Sequence, residues 1–279
     1  MLIYCSISAY DSGSSRSGEP GYDAMIQAAG GFMSITGPEG GGPQKAGVAI
    51  ADITTGMYAA SAILAALHSR DRTGRGQKIE VPLFDVQVAS LANQNLNYLL
   101  GGRVPDRLGT AHPNIVPYQA FATADGDLML AVGNDRQFRA CIASLGVTDR
   151  LGDERFASNA MRVRNRDELV AVLALAFARR TTADWLAVLT EAGVPCGPIN
   201  SLEAVFASDY AREQQLVRRV RHADDPELPT VANPVRFAET PVAYRQAPPL
   251  LGADSAEVLR EWLGYSPERI ATLRETGTI

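Results

Sequence analysis

The stretch 44–68, QKAGVAIADITTGMYAASAILAALH, constrains the chain most, because it reads as a loop feeding one long helix. Ile53, Met57, Ala60, Leu64 and Leu67 recur at helical spacing and form one apolar stripe. A second face carries Gly56, Ala59 and Ala66, small enough for another backbone to approach closely. Asp52 is the one acid in the first turn of this otherwise uncharged helix. A carboxylate there has two readings. It complements the helix dipole, an effect of about 0.3–1 kcal/mol. Or it is a nucleophile or base in a site walled by small residues. The helix by itself leaves both open.

The rest of the composition narrows the class of protein. The 279 residues carry a net charge of -5 and are 46% hydrophobic, enough for one large or two ordinary globular domains. A pI near 5.3 argues against nucleic acid as the main partner. Cys5, Cys141 and Cys196 lie far apart, which suggests neither a disulfide framework nor a metal site. No apolar run is read as approaching the roughly 20 residues of a membrane span. The N-terminus lacks a basic region followed by an apolar one, so no signal peptide is expected and a reducing cytoplasm is the default location.

Taken in order, the chain opens with a strand over 2–8, followed by a serine- and glycine-rich loop over 9–21. Asp23 is expected to cap a helix, AMIQAAGGFMSIT. The Gly30-Gly31 pair inside that helix costs about 1 kcal/mol per glycine relative to alanine, which implies close approach of a backbone or a ligand. After the long helix come a turn over 71–77, a strand over 78–83 and a second apolar helix over 84–100. Short apolar strands alternating with helices point to an α/β architecture with a largely parallel sheet. Residues 101–117, GGRVPDRLGTAHPNIVP, read as a linker. A compact α+β unit follows over 118–205, opening on a hairpin with Asp125-Gly126 in its turn. Residues 206–279 return to strands and end in two helices, the second capped by Ser266 with Pro267 at its first position.

Familiar catalytic motifs are missing: there is no GxGxxG, no Walker loop, no HExxH and no CxxC. His112, alone among prolines, and Cys196, between prolines, read as structural residues. Residue reasoning alone therefore stops at an α/β protein with a candidate acid at Asp52.

Four stretches together resemble the family III CoA-transferases, the CaiB/BaiF family that includes formyl-CoA transferase and the carnitine CoA-transferases. They are PGYDAMIQAAGGFMSITG, GVAIADITTGMYAASAILAALHSRDRTGRGQKIEV, HPNIVPYQAFATADGDLMLAVGNDRQF, and GVPCGPIN with the PPLLG tail. The resemblance implies that Asp52 carries the acyl group. It places Tyr22, Asp23, Gly30 and Gly31 in the acyl and CoA pocket. His112, Asn114, Tyr118 and Gln119 fall where family members have a mobile loop over the site. The wording NIVPYQAF looks closer to members that move CoA between dicarboxylic acids, a resemblance that implies succinyl-CoA as donor. Substrates would be CoA thioesters and a small carboxylic acid, with no permanently bound cofactor and no metal.

Two further readings follow from the same resemblance. Relatives that racemise 2-methylacyl-CoA have a histidine where this chain has Tyr22, so transfer is favoured over racemisation. Family members also carry residues ahead of the LIYCSIS strand. The resemblance thus implies that residues 1–100 are the C-terminal part of an incomplete Rossmann-like large domain. Residues 101–117 would be linker and active-site loop, 118–205 the small domain, and 206–279 a tail packing back on the large domain. The family's homodimer of interlaced rings would be cut open, and an inactive remnant is the third reading. The opening strand is expected to expose apolar edges.

Overall fold

The computed structural model describes residues 1–222 and 225–279, which divide into two compact units, Met1–Pro198 and Ile199–Ile279. The fold is mixed α/β.

In the first unit, β1 (Tyr4–Ser8) leads through the serine-rich loop to α1 (Asp23–Ala29) and the single turn α2 (Phe32–Ile35). The expected continuous helix is therefore broken at Gly30-Gly31. Gly31 has a φ of 87°, a left-handed conformation that an L side chain rarely adopts. Next come α3 (Ile50–Thr73), β2 (Lys78–Pro82), α4 (Leu83–Ala89) and α5 (Asn93–Leu99). The α3 helix runs further than expected and stops at Gly74, whose N–H donates to the Arg70 carbonyl. The apolar helix expected over 84–100 is also two helices, parted by a positive φ at Ala92.

Strands β1 and β2 pair in parallel, Tyr4 opposite Lys78 and Ser8 opposite Pro82. Helix α3 is the crossover between them, as parallel pairing requires. Its small-residue face is the one turned inward. Ala51, Thr55, Ala59 and Ala66 are buried, whereas Ile53, Met57 and Leu64 of the apolar stripe are at least half exposed. The small side chains let α3 lie close to the sheet, with Ala59 in one cluster with Val81 and Val86. Buried Thr55 satisfies its hydroxyl on the Ala51 carbonyl at 2.7 Å. By length and composition α3 is long enough to cross a membrane, which corrects the reading that no run approaches that length. Leu2, Tyr4 and Ile7 are exposed beside it, as expected for the opening strand.

An irregular segment, 101–117, leads to β3 (Tyr118–Ala122) and β4 (Asp127–Ala131), an antiparallel hairpin extended by β5 (Cys196–Pro198). Between β4 and β5 lie α6 (Asp135–Ser144), α7 (Thr148–Leu151), a 3₁₀ turn (Glu154–Phe156), α8 (Asn159–Arg164), α9 (Arg166–Phe177) and α10 (Thr182–Glu191). Among the described residues the one large continuous core sits here. It joins Phe121, Leu128 and Leu130 of the sheet to Phe138, Leu173, Phe177, Trp185 and Leu189 of the helices.

The second unit contains α11 (Leu202–Ala207), α12 (Asp209–Glu213), the antiparallel pair β6 (Val217–Val220) and β7 (Leu228–Val231), α13 (Ser255–Leu263) and α14 (Pro267–Glu275). Ser266 caps α14 as its sequence implied, accepting from the Arg269 N–H.

Candidate active site

Asp52 stands in the first turn of α3 and is exposed, with no side-chain partner among the described residues. Two residues of α1 organise its surroundings. Asp23 does not cap its own helix; Tyr22 occupies that position and makes no capping bond. Instead Asp23 Oδ1 accepts the Ala51 N–H at 2.8 Å, so Asp23 caps α3 from a neighbouring helix. Its Oδ2 accepts from Gln27 Nε2 at 2.6 Å, and Gln27 Oε1 accepts the Ala46 N–H at 2.8 Å. Gln27 is fully buried, so this relay fixes the loop into α3 and the start of α3 against α1. One N–H of the α3 terminus is consequently occupied beside Asp52, whose own carboxylate stays open to solvent.

The other predicted residues of this group lie nearby in sequence but play different parts. Tyr22 is 79% exposed. Gly30 is buried where α1 meets α4, and a Cβ there would come within 2.7 Å of Gln87 Cγ. The close approach inferred from its sequence is real, and a side chain of the protein makes it. Gly31 supplies the left-handed turn into α2.

A second cluster forms around the loop His112–Gln119. His112 donates its N–H to the Tyr118 carbonyl at 2.9 Å, and its ring lies 5.4 Å from that of Tyr118. Its Nδ1 accepts the Asn114 N–H at 3.0 Å, which puts the proton of the neutral ring on Nε2. Burial, and after it the charge of Arg166, hold His112 below the usual histidine range. Asn114 Oδ1 accepts from Asn93 Nδ2 at 3.0 Å, and Asn114 Nδ2 donates to Asn97 Oδ1 at 3.2 Å. Gln119, half-buried in β3, pairs with Leu130.

A cavity of about 750 Å³ adjoins this cluster, walled by Asn97, Pro113, Asn114, Arg103, Arg164 and Arg166 among others. Its three arginines are matched by Glu39, Asp106 and Asp167 in the same wall, so it carries no net preference for an anion. Asp52, Tyr22 and Asp23 are not part of its lining. The structure thus gathers Asp52 with Asp23, and His112 with Asn114 and Tyr118, as two groups. Among the described residues no set of three or more His, Cys, Asp or Glu side chains is placed to hold a metal ion.

Sequence reasoning missed Gln27, Asn93, Asn97, Asn159, Arg162 and Arg166, which fix these groups. Gln27 had one signal, a polar residue one turn beyond Asp23 in an apolar helix. The others act on the loop at long sequence separation, Asn93 and Asn97 through the Asn114 side chain and Asn159, Arg162 and Arg166 through its backbone, which leaves no local pattern.

The sequence matches CoA-transferase family III over residues 1–255, and the chain belongs to that family. It is 45% identical over 260 residues to the succinate–glutarate CoA-transferase of Agrobacterium fabrum, covering 93% of this chain and 65% of that protein. It is 40% identical over 278 residues to the succinyl-CoA:glutarate CoA-transferase of Mus musculus, covering 100% of this chain and 64% of that one. The chain therefore spans just under two thirds of the length of these curated relatives. Its fold matches the crystal structure of a CaiB/BaiF family protein from Brucella suis with a TM-score of 0.78 at 41% identity. That match covers 93% of this chain and 68% of the other.

Proposed function

We propose that the protein acts as an acyl-CoA:carboxylate CoA-transferase in which Asp52 is the covalent carrier. One observation carries the reading: a solvent-open carboxylate without a side-chain partner in the first turn of α3, held in place by the Asp23–Gln27 relay. A carboxylate nucleophile needs no general base. Asp52 attacks the carbonyl carbon of the donor thioester, and the C–S bond breaks to give a mixed anhydride and free CoA thiolate. The thiolate then attacks the Asp52 carbonyl carbon. The donor acid leaves as a carboxylate, and Asp52 becomes an aspartyl-CoA thioester. The acceptor carboxylate attacks that thioester, releasing thiolate and forming a second anhydride. Attack of thiolate on the acceptor carbonyl yields the new acyl-CoA and restores Asp52. No net water, proton or electron enters, so excluding water preserves the thioester energy. The α3 N-terminus favours the oxyanions formed at the Asp52 carbonyl.

Dicarboxylic acids, with succinyl-CoA as donor, are the proposed substrates. Support comes from the names of the two relatives described above, which pair succinate or succinyl-CoA with glutarate. Tyr22, at the position of a racemase's histidine, favours transfer over α-proton exchange. The test is incubation of the protein with succinyl-CoA followed by hydroxylamine. The expected result is a hydroxamate on the peptide containing Asp52, absent in Asp52→Asn, which also loses transfer to glutarate. Full transfer by Asp52→Asn would overturn the mechanism.

A further inference from the structure

The backbone of the loop from His112 to Pro117 is held mainly by side chains of α8 and α9. Asn159 Oδ1 accepts the Val116 N–H at 3.1 Å, and Asn159 Nδ2 donates to the Asn114 carbonyl at 2.8 Å. Arg162 Nε donates to the Val116 carbonyl at 2.8 Å. Its Nη1 donates to the Phe156 carbonyl at 3.0 Å and its Nη2 to Asp135 Oδ1 at 2.8 Å. Arg166 Nη2 donates to the carbonyls of His112 at 2.7 Å and Pro113 at 3.1 Å.

Arg162 is 1% exposed, whereas its acidic partner Asp135 is 47% exposed. Its guanidinium also lies over the Phe138 ring at 4.5 Å. Burying a guanidinium against a half-solvated carboxylate is a poor way to gain stability, because desolvation offsets the attraction. What the arrangement supplies is geometry. The rigid fork ties three separate points, a loop carbonyl, a turn carbonyl and the first residue of α6, into fixed relation. Val116, with its N–H on Asn159 and its C=O on Arg162, has both backbone groups fixed by side chains of one short helix.

We infer that Asn159 and Arg162 are positioning residues that set the Asn114–Gln119 loop for acyl transfer. This inference rests on the reading of Asp52 given above. Neither side chain need touch substrate; each acts through the backbone that carries Asn114, Tyr118 and Gln119. Arginine is specifically required, since a lysine keeps the charge beside Asp135 but does not reach all three acceptors.

The experiment compares wild type, Asn159→Asp, Asn159→Ala and Arg162→Lys in the full chain. Hydrogen exchange of peptides spanning 112–119 is followed alongside a control peptide from α9, together with kcat and KM for glutarate. Asn159 begins α8, where aspartate is well tolerated, so Asn159→Asp keeps the fold while losing the bond to the Asn114 carbonyl. Loop exchange is expected to quicken about tenfold in Asn159→Ala and Arg162→Lys, the loss of one hydrogen bond of ordinary net strength. The α9 peptide stays unchanged, KM for glutarate rises and kcat falls, with Asn159→Asp intermediate. Unchanged loop exchange, or a loosened loop with both kinetic constants intact, overturns the inference. Failure of the transferase reading shows separately, as retained transfer in Asp52→Asn or as no transfer by wild type. In the second case the exchange data still decide whether the clamp exists.

Discussion

Two regions of the first unit solve the problem of burial in opposite ways. Residues 118–198 close a three-stranded antiparallel sheet under a layer of helices, and every large side chain at its centre is enclosed. Residues 1–100 hold only a two-stranded parallel sheet. Their buried clusters are small, and Met57, Leu64, Ile7 and Leu99 lie in the open. Parallel strands are ordinarily covered on both faces. The difference teaches that the region with the firmest core is not the one that carries the candidate nucleophile.

The contrast breaks most directly in the core. Phe177 is fully buried, stacked on Phe121 at 4.9 Å and edge-on to Trp185 at 5.6 Å. Phe177→Ala should cost about 3–5 kcal/mol in urea denaturation followed by Trp185 fluorescence. Met57→Ala, on the open face of α3, should change stability by less than about 0.5 kcal/mol. A loss at Met57 comparable to that at Phe177 would mean that the α3 face is covered in solution, and the two regions would no longer differ.

A smaller effect is expected where α1 meets α3. Asp23→Ala removes the acceptor for the Ala51 N–H and should destabilise by about 1 kcal/mol, in the range of other helix caps. Exchange of the Ala51 amide should rise, while Asp23→Asn, which keeps an acceptor oxygen, should hold it near wild type. An unaltered Ala51 amide in Asp23→Ala would remove the relay from the description of the site.

The third effect is one of pH. His112 has a depressed folded value, so the unfolded chain binds the proton first. The stability that depends on neutral His112 is complete above the unfolded value of about 6.5 and is lost as pH falls from there through the folded value. His112→Gln should flatten the fall in stability between pH 7 and pH 5, measured as urea midpoints. The same slope in both proteins would show that Arg166 and burial do not act on His112 as described. Smallest of all, Arg16→Ala breaks an exposed pair with Glu19 and should leave the midpoint unchanged within error.

Much of this was legible in the sequence, and unevenly so. Helix ends that carry strong local chemistry are legible: Ser266 caps α14, with Pro267 at its first position, as the sequence implies. The hairpin around Asp125-Gly126 likewise follows from its turn residues. Breaks without a local signal were missed, such as the one at Ala92, where an alanine takes a positive φ imposed by its surroundings. On α3 the close approach allowed by the small residues is what the structure shows, while the large residues Ile53, Met57 and Leu64 of the apolar stripe stay exposed. Close packing on a sheet prefers Ala51, Ala59 and Ala66. At the site, the isolated acid Asp52 was visible, but its support from Asp23 and Gln27 was not. Those bonds join residues 19 and 28 positions apart.

The two sheets also differ in when they become possible. The turn over 123–126 brings β3 and β4 together at almost no cost in chain entropy, so that hairpin forms as soon as its residues meet. Pairing Tyr4 with Lys78 must wait until everything between them, including all of α3, has been made. During synthesis β1 cannot take up its pairing with β2 until β2 follows, with α3 already outside. The pairing that anchors the Asp52 helix is thus completed only after a long stretch of chain has been made, whereas the hairpin of the large core closes over four residues.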